Sequence, residues 1–314
     1  MTSFTGDISF PQDSPGQRYV SVYALHAGSL FPPHVEAFGD SICQSGSLKA
    51  PSFSFLVEHE VHGRLLFDLG LRKDGKGYPP AWDEIVTQLK VDCSKDVADL
   101  LQEGGVQPGS INSIVYRYCE IRDSHLHFDH VGDLAPFPQA ELIVGADTAV
   151  LMQKTYPSDP TGLWPEWPSG QKVRYVNYSD ADAPARPIAP FGSFTRALDL
   201  YNDGSFYLLD APGHLPGHLA ALARVSPDSF ILLAGDCCHH RQYYTPGVRL
   251  VSQEHHHDID VARDTMERLK RMNKERNVVL VLAHESQRLE EGMPLFPRSL
   301  NEWAKEEMAR KPGA

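Results

Sequence analysis

Residues 124–133 place three histidines and an aspartate at a close and regular spacing. They spell Ser-His-Leu-His-Phe-Asp-His-Val-Gly-Asp, which gives the pattern His125-x-His127-x-Asp129-His130. Imidazole nitrogens and carboxylate oxygens are ligands that zinc prefers, and alternate spacing lets neighbouring ligands converge from one tight loop. Because the chain has only 15 histidines in 314 residues, a chance match is rare. The stretch therefore predicts a metal site rather than a histidine-rich surface turn.

Three further residues that can bind a metal share one local pattern, in which an apolar strand ends and the residue follows at the turn. They are His214 after residues 206–210, Asp236 after residues 230–234, and His284 after residues 278–283. Loops at strand ends mount reactive groups on rigid supports. Taken singly, the three could equally be a loop histidine, a helix cap and a satisfied core histidine.

Together with the motif, these residues resemble the ligand order of the metallo-β-lactamase superfamily, and the resemblance runs from about Tyr19 to Glu285. Residues 211–218, Ala-Pro-Gly-His-Leu-Pro-Gly-His, are similar to the third ligand block of that family. The resemblance implies an α/β fold of the αββα type, in which two β-sheets pack face to face with helices outside. It also implies two bound Zn²⁺ ions, although other divalent metals share such ligands. His125, His127 and His214 would hold the first ion, Asp129, His130 and His284 the second, and Asp236 would bridge both.

The same resemblance implies a hydrolase in which two zinc ions lower the pKa of a shared water, so that a hydroxide attacks a carbonyl. Asp129 would orient this nucleophile and pass a proton to the leaving group. A histidine at position 127 favours zinc and hydrolysis, because the diiron flavoprotein branch of the superfamily carries a glutamate there.

Within the superfamily the chain looks most like the lactonases that open N-acyl-homoserine lactones, so the expected substrate is a lactone. Those enzymes usually carry a tyrosine three residues after the bridging aspartate, where this chain has His239. His239 itself, Tyr243 or Tyr244 could supply the missing donor to the substrate carbonyl. The alternatives are a thioesterase of the glyoxalase II type, a lactam hydrolase, and a zinc-stabilised binding protein without turnover.

His218, the histidine run 255–257 and the two cysteines beside Asp236 are not predicted to bind the metals. We expect His218 to hydrogen-bond the ligand loop, and Cys237 and Cys238 to be packing residues. The run His255-His256-His257 has no acidic or cysteine partner in the family order, so we expect it to be a solvated loop.

Composition narrows the class of protein further. A net charge of −12 disfavours nucleic acid and anionic membranes as partners, since both need a basic surface. Little basic clustering is visible, which disfavours a phosphodiesterase. Five cysteines, an odd number with a vicinal pair, predict a reducing compartment. With no signal peptide or membrane span recognisable, the prediction is a cytoplasmic protein that binds a small molecule; its oligomeric state stays open.

The surrounding pattern predicts one domain over 1–314, made of two αβ halves. These halves cover about 19–154 and 191–310, and a Pro- and Trp-rich loop, 155–190, joins them. Alternating apolar runs predict strands at 19–25, 53–58, 64–70, 111–121, 140–145, 206–210, 219–225, 230–234 and 277–283. Helices are predicted at 94–103 with Ser94 as its N-cap, 146–154, 258–272 and 299–310. Phe31, His34 and Phe38 could overhang a pocket or tuck beneath their loop, and the tryptophans of 155–190 are expected to anchor that loop.

Overall fold

Two six-stranded β-sheets form the centre of the molecule. The computed structural model describes residues 8–34, 38–40, 45–116, 128–179, 187–244, 249–253 and 255–311. In spatial order the first sheet contains β1 (Val20–Leu30), β2 (Ala50–His59), β3 (Gly63–Phe67), β4 (Ser113–Val115), β5 (Glu141–Gly145) and β8 (Val173–Val176). The second contains β14 (Val278–Leu282), β13 (Ser229–Gly235), β12 (Leu219–Ser226), β11 (Phe206–Asp210), β10 (Phe194–Asp199) and β9 (Ile188–Phe191). A small pair, β6 (Thr155–Tyr156) and β7 (Trp164–Pro165), lies apart.

The helices lie on the outer faces of these sheets and at their ends. They are α1 (Asp83–Gln88), α2 (Val97–Glu103), α3 (Ile259–Lys274), α4 (Ser286–Glu290) and α5 (Asn301–Ala309). Short 3₁₀ segments include Phe128–His130, Ala146–Gln153 and Arg241–Tyr243. Within the described ranges, no helix is both long and apolar enough to cross a membrane.

Both faces of the second sheet are buried, and the sequence of β13 shows why. Ile231 and Leu233 face the apolar layer between the two sheets, whereas Phe230 and Leu232 face the layer beneath α3. Successive strand residues point to opposite faces, so a continuous apolar run is what a strand covered on both sides requires. α3 contributes Ala262, Met266, Leu269 and Met272 at helical spacing to its layer. The result is the αββα sandwich that the sequence predicted.

The strand directions bring several loop ends to one edge of the sandwich. β3 and β4 are parallel in the first sheet, and β13 and β14 are parallel in the second. β11 runs antiparallel to β12, which is itself antiparallel to β13, so β11 also ends at this edge. The backbone N–H of Phe53 at the start of β2 donates to the carbonyl of Ala283 just after β14, at 3.1 Å, which joins the two sheets there.

Several element boundaries differ from the sequence predictions. β1 runs on to Leu30 through a register shift between His26 and Ser29, where Gly28 has a φ of +90°. The predicted loop 155–190 contains β8, which lengthens the first sheet, so the first half extends to Val176 instead of ending at 154. Strands β9 and β10 and helices α1 and α4 were not predicted.

Two predicted helices also needed correction. α2 begins at Val97, because the Asp96 carboxylate, not Ser94, accepts from the backbone N–H of Asp99. Residues 146–153 form a 3₁₀ helix in which the Thr148 hydroxyl donates to the carbonyl of Gly145. The strand predicted at 111–121 corresponds to β4 (Ser113–Val115), and residues 117–121 of that prediction lie outside the described residues.

Candidate metal centre

Asp129, His130, Asp236 and His284 meet at the shared edge of the two sheets. His284 Nε2 lies 3.3 Å from Asp129 Oδ2 and 3.2 Å from Asp236 Oδ1. His130 Nε2 lies 2.7 Å from Asp236 Oδ2 and 3.6 Å from Asp129 Oδ2. In a tetrahedral zinc site with ligands at about 2.0–2.1 Å, neighbouring ligand atoms are about 3.3 Å apart. The four side chains therefore have the chemistry and the spacing to hold one divalent cation.

Asp236 also faces a second group of histidines. Its Oδ2 atom lies 3.7 Å from His214 Nε2 and 3.9 Å from His239 Nε2. Candidate ligand atoms of His214, His239 and His256 lie within 4.8 Å of one another. Asp236 thus stands between two donor groups, which is the position a bridging ligand needs. His125 and His127 lie outside the described residues, so their predicted place in this group stays a prediction.

Burial of these polar and charged side chains raises the free energy of the folded protein unless another interaction compensates for it. His214 is fully buried, and Asp236 and His130 are each about 1% exposed. Carboxylates removed from water are stabilised only when they are paired, hydrogen-bonded or bound to a metal. Two carboxylates and several imidazoles with their polar atoms turned toward each other therefore fit a metal centre.

Asp68 orients His130 from the opposite side. Its Oδ2 atom lies 3.1 Å from His130 Nδ1, and its side chain is 1% exposed. Leu69 and Gly70, which follow Asp68, bind the backbone of the segment that carries His130. The Leu69 N–H donates to the His130 carbonyl, and the Gly132 N–H donates to the Gly70 carbonyl. A carboxylate on Nδ1 selects the tautomer whose Nε2 can bind a metal. In the sequence Asp68 stands near the end of the strand predicted at 64–70, and nothing in that pattern reveals its contact with His130.

Contacts with residues 51 and 52 position two other members of this group, His284 and Asp129. The His284 Nδ1–H donates to the Pro51 carbonyl at 2.8 Å, which leaves Nε2 to face the two aspartates. The Ser52 hydroxyl donates to the carbonyl of Asp129 at 2.7 Å. Both contacts come from the start of β2, so a strand of the first sheet also positions His284, a candidate ligand that follows a strand of the second.

His218 hydrogen-bonds a ligand loop, as predicted. Its Nε2 accepts from the backbone N–H of Asp236 at 3.3 Å, and its carbonyl accepts from the Ala211 N–H at 3.1 Å. Cys237 and Cys238 are fully buried in the layer beneath α3, which confirms their packing role.

The run 255–257 is only partly what the sequence indicated. His257 is exposed, but His256 Nδ1 lies 3.3 Å from His214 Nδ1, and the His256 and His239 ring centroids are 5.2 Å apart. The prediction of a solvated loop is therefore wrong for His256. No local pattern could have shown this, because the contact joins residues 42 positions apart.

Electrostatics distinguishes two histidines near the centre. Burial opposes protonation of His284, but the negative charges of Asp236 and Asp129 outweigh it and raise the pKa of His284. The surroundings of His240 act in the opposite direction. Burial, together with the nearby Arg241 and Arg249, lowers the pKa of His240 to about 4, so its ring is neutral near pH 7.

A cavity of about 300 Å³ opens onto the candidate metal-binding side chains. Its polar lining includes Asp129, Asp236, His239, His284 and Tyr243. Tyr244 lines a neighbouring cavity with Arg241 and Glu285 instead. The apolar part of the first cavity's lining comprises Leu30, Pro32, Leu48, Ala50 and Leu89.

Two of the aromatic residues noted in the sequence, Phe38 and Trp164, are buried and have packing roles. Phe38 is 2% exposed and packs edge-on against His240 and Tyr243, so it tucks behind the cavity. Trp164 is 3% exposed and packs against Trp82, which confirms that it anchors its loop.

A third cluster among the described residues comprises His59, His62 and Asp203. In this cluster the His59 ring is already hydrogen-bonded within the protein. His59 Nδ1 accepts from the backbone N–H groups of Val61 and His62, and its Nε2 lies 2.8 Å from Asp203 Oδ2. Both ring nitrogens thus have structural partners, and we do not assign a metal to this cluster.

The sequence of this chain is similar to those of several fungal proteins. It is 31% identical to metallo-hydrolase mfmC of Annulohypoxylon moriforme, over 82% of this chain and 75% of that protein. The chain belongs to the metallo-β-lactamase superfamily. Within it, gamma-lactamase FDB1 of Fusarium pseudograminearum is 36% identical over 70% of this chain and 51% of its own length. The N-acyl homoserine lactonase AttM of Agrobacterium fabrum is 27% identical over 59% of this chain and 64% of its own length.

Longer relatives and solved structures complete the comparison. The cytochrome P450 monooxygenase mpaDE of Penicillium roqueforti is 31% identical over 92% of this chain, which spans only 36% of that protein's length. A variant of B. thuringiensis AiiA with N-decanoyl-L-homoserine at its active site superposes with a TM-score of 0.63 at 18% identity, covering 90% of this chain and 99% of that one. This likeness establishes the fold alone. No family model matches the chain.

Proposed function

We propose that this chain is a dinuclear zinc hydrolase that opens a lactone. The observation that carries the proposal is the position of Asp236, whose carboxylate faces nitrogen donors of both histidine groups. Oδ1 is turned toward His284, and Oδ2 is turned toward both His130 and His214. A carboxylate placed in this way is suited to bridge two cations.

Two zinc ions bound there would supply Lewis acidity and an activated water at neutral pH. The chain supplies the remaining functions. Asp129 lines the cavity, and its Oδ2 atom is held near His284 and His130, so a proton released at the centre is within its reach. It can then deliver that proton to the alkoxide that leaves when the ring opens.

His239 and Tyr243 are the candidates to bind the substrate carbonyl. Both line the same cavity as Asp129, whereas Tyr244 does not. Burial raises the pKa of Tyr243, so its hydroxyl keeps its proton at neutral pH and can donate. The position of these side chains favours His239 and Tyr243 over Tyr244 for the role that a tyrosine has in related lactonases.

The cavity also constrains the rest of the substrate. Its apolar wall favours a hydrocarbon or aromatic portion beside the reacting ring, because burial of apolar surface drives such binding. Its volume of about 300 Å³ suits a small molecule. We therefore propose a small, partly apolar cyclic ester as the substrate.

A γ-lactam is the second candidate, and a specific observation favours it: the relationship to gamma-lactamase FDB1 at 36% identity. The same centre could open a cyclic amide, but the leaving nitrogen must gain a proton before it departs. Asp129 would then be needed more strictly for the lactam than for the lactone.

The test is a panel of simple γ- and δ-lactones, acyl-homoserine lactones, γ-lactams and thioesters, assayed with zinc-loaded protein. The proposal predicts the largest kcat/KM for a lactone and loss of turnover after chelation. Lactams as the best substrates would replace it with the second candidate, and thioesters would indicate a thioesterase of the glyoxalase II type. A zinc-loaded protein that binds these compounds without turning any over would indicate a binding protein.

A further inference from the structure

Residues 257–265, which lie between β13 and β14 and include the start of α3, bind the loop of residues 211–218 that carries His214 (the His214 loop) from outside the centre. The His257 N–H donates to the His214 carbonyl, and the Asp258 N–H donates to the Gly213 carbonyl, both at 2.9 Å. The Thr265 hydroxyl of α3 donates to the Pro212 carbonyl at 2.6 Å. Three consecutive carbonyls of the loop are therefore bound by one neighbouring segment.

This segment is itself fixed by the start of α3. The Asp258 carboxylate accepts from the backbone N–H groups of Asp260 and Val261 and thereby caps the helix. Gly213 lies so close to α3 that a Cβ on it would be 2.1 Å from the backbone nitrogen of Ala262. Residues 255–258 thus approach the His214 loop from a rigid support.

From this support the His256 ring reaches the side of His214 that is turned away from Asp236. His214 Nε2 faces Asp236 at 3.7 Å, whereas His214 Nδ1 faces His256 Nδ1 at 3.3 Å. His239 packs against both rings, at centroid distances of 4.8 Å and 5.2 Å. A hydrogen bond between two imidazoles needs one N–H and one lone pair, so only one of the two Nδ1 atoms carries hydrogen.

We infer that His256 is a positioning residue for the metal centre: it accepts the Nδ1–H of His214 and so keeps the lone pair of His214 Nε2 directed at the cation. Metal-binding histidines generally use the other ring nitrogen in this way, usually toward a carboxylate or a carbonyl. Here a neutral imidazole takes that place. The inference rests on the proposed function, because it presupposes that His214 binds a metal.

The experiment compares three variants by competition with a zinc chelator and by the visible spectrum of the cobalt-substituted protein. His256→Leu removes the acceptor, whereas His256→Asn keeps an acceptor oxygen near the position of Nδ1. His257→Leu is the matched control, because that side chain is exposed and its backbone N–H remains bound to the His214 carbonyl. Thermal melts of the metal-free proteins establish that all three fold alike.

For His256→Leu we expect the affinity for one of two zinc equivalents to fall on the order of 10–100-fold, with a changed cobalt spectrum. His256→Asn should restore affinity and spectrum, and His257→Leu should match the wild type. Wild-type affinity in His256→Leu, or equal losses in His256→Leu and His256→Asn, would overturn the inference while leaving the proposed function intact. A wild-type protein that binds no zinc would overturn both.

Discussion

At the scale of single residues, Asp129 is the acid to which the proposed proton transfer is assigned; it borders the cavity and faces His130 and His284. For Asp129→Asn we expect kcat to fall about 10²–10⁴-fold, because the amide can no longer accept and deliver a proton. Steady-state kinetics measure kcat, and product-inhibition constants measure the binding of the product. Product binding should change far less than kcat.

The matched control is Asp133→Asn, which removes the same charge from the same loop. The Asp133 carboxylate accepts from the Ala135 N–H, away from the donor group. If the two variants lost activity to the same extent, charge in the loop rather than proton transfer at Asp129 would be responsible.

A second residue-scale prediction concerns Asp68, which contacts His130 Nδ1 at 3.1 Å. Asp68→Asn should weaken metal binding about 10–100-fold, because His130 loses the carboxylate that orients it. Asparagine tolerates the left-handed backbone at this position, where φ is +68°, so the effect reports on the carboxylate.

Asp203→Asn provides the control for this prediction, because Asp203 makes the same kind of contact with His59 at 2.8 Å in another cluster. Metal titrations compare the metal affinities of the two variants. Undiminished affinity in Asp68→Asn would show that His130 does not need its carboxylate partner.

At the scale of elements, the close approach of the His214 loop to α3 makes Gly213 irreplaceable. Gly213→Ala should destabilise the protein by about 2 kcal/mol or more, since φ is +111° and the new Cβ would clash with the α3 backbone. Denaturant unfolding measures this. Gly109→Ala is the control, because nothing lies within 4 Å of a Cβ there, and equal stabilities for the two variants would contradict the packing described.

The same scale shows what the sequence could predict. Apolar runs such as β13 and β14 were recognisable because both faces are buried, and the residues that follow them, Asp236 and His284, could therefore be named as candidate ligands. The bulge near Gly28 was not recognisable, because a glycine and polar residues interrupt the strand pattern of β1. β8 was hidden for a related reason: it is an edge strand whose Tyr175 is 42% exposed.

Contacts between distant segments could not be predicted from spacing. Asp68 and His130 are separated by 62 positions, and His214 and His256 by 42. Each pair meets only because strand ends and helix starts from different parts of the chain converge at one edge. A resemblance to family motifs supplies ligands at fixed places in a pattern, but the residues that orient those ligands need no fixed place.

At the scale of the whole molecule, the candidate centre draws side chains from both halves of the sandwich. Asp129 and His130 follow the first sheet's β4, whereas Asp236 and His284 follow strands of the second sheet. A cation bound by all four would cross-link the halves and stabilise the native state. At a free zinc concentration 100 times Kd we expect about 2.7 kcal/mol of added stability.

Calorimetry with and without a chelator measures this stabilisation. It should shrink as the pH falls through the raised pKa of His284, because a protonated imidazole must release its proton before it binds a metal. A melting temperature that chelation leaves unchanged at neutral pH would contradict a centre shared by the two halves.

The central claim, a centre for two metal ions that carries out hydrolysis, is tested most directly by metal analysis of the purified protein alongside a lactonase assay. We predict about two equivalents of zinc per chain, activity that disappears on chelation, and recovery when zinc is restored. Less than one equivalent of zinc, with activity unaffected by chelation, would contradict the account.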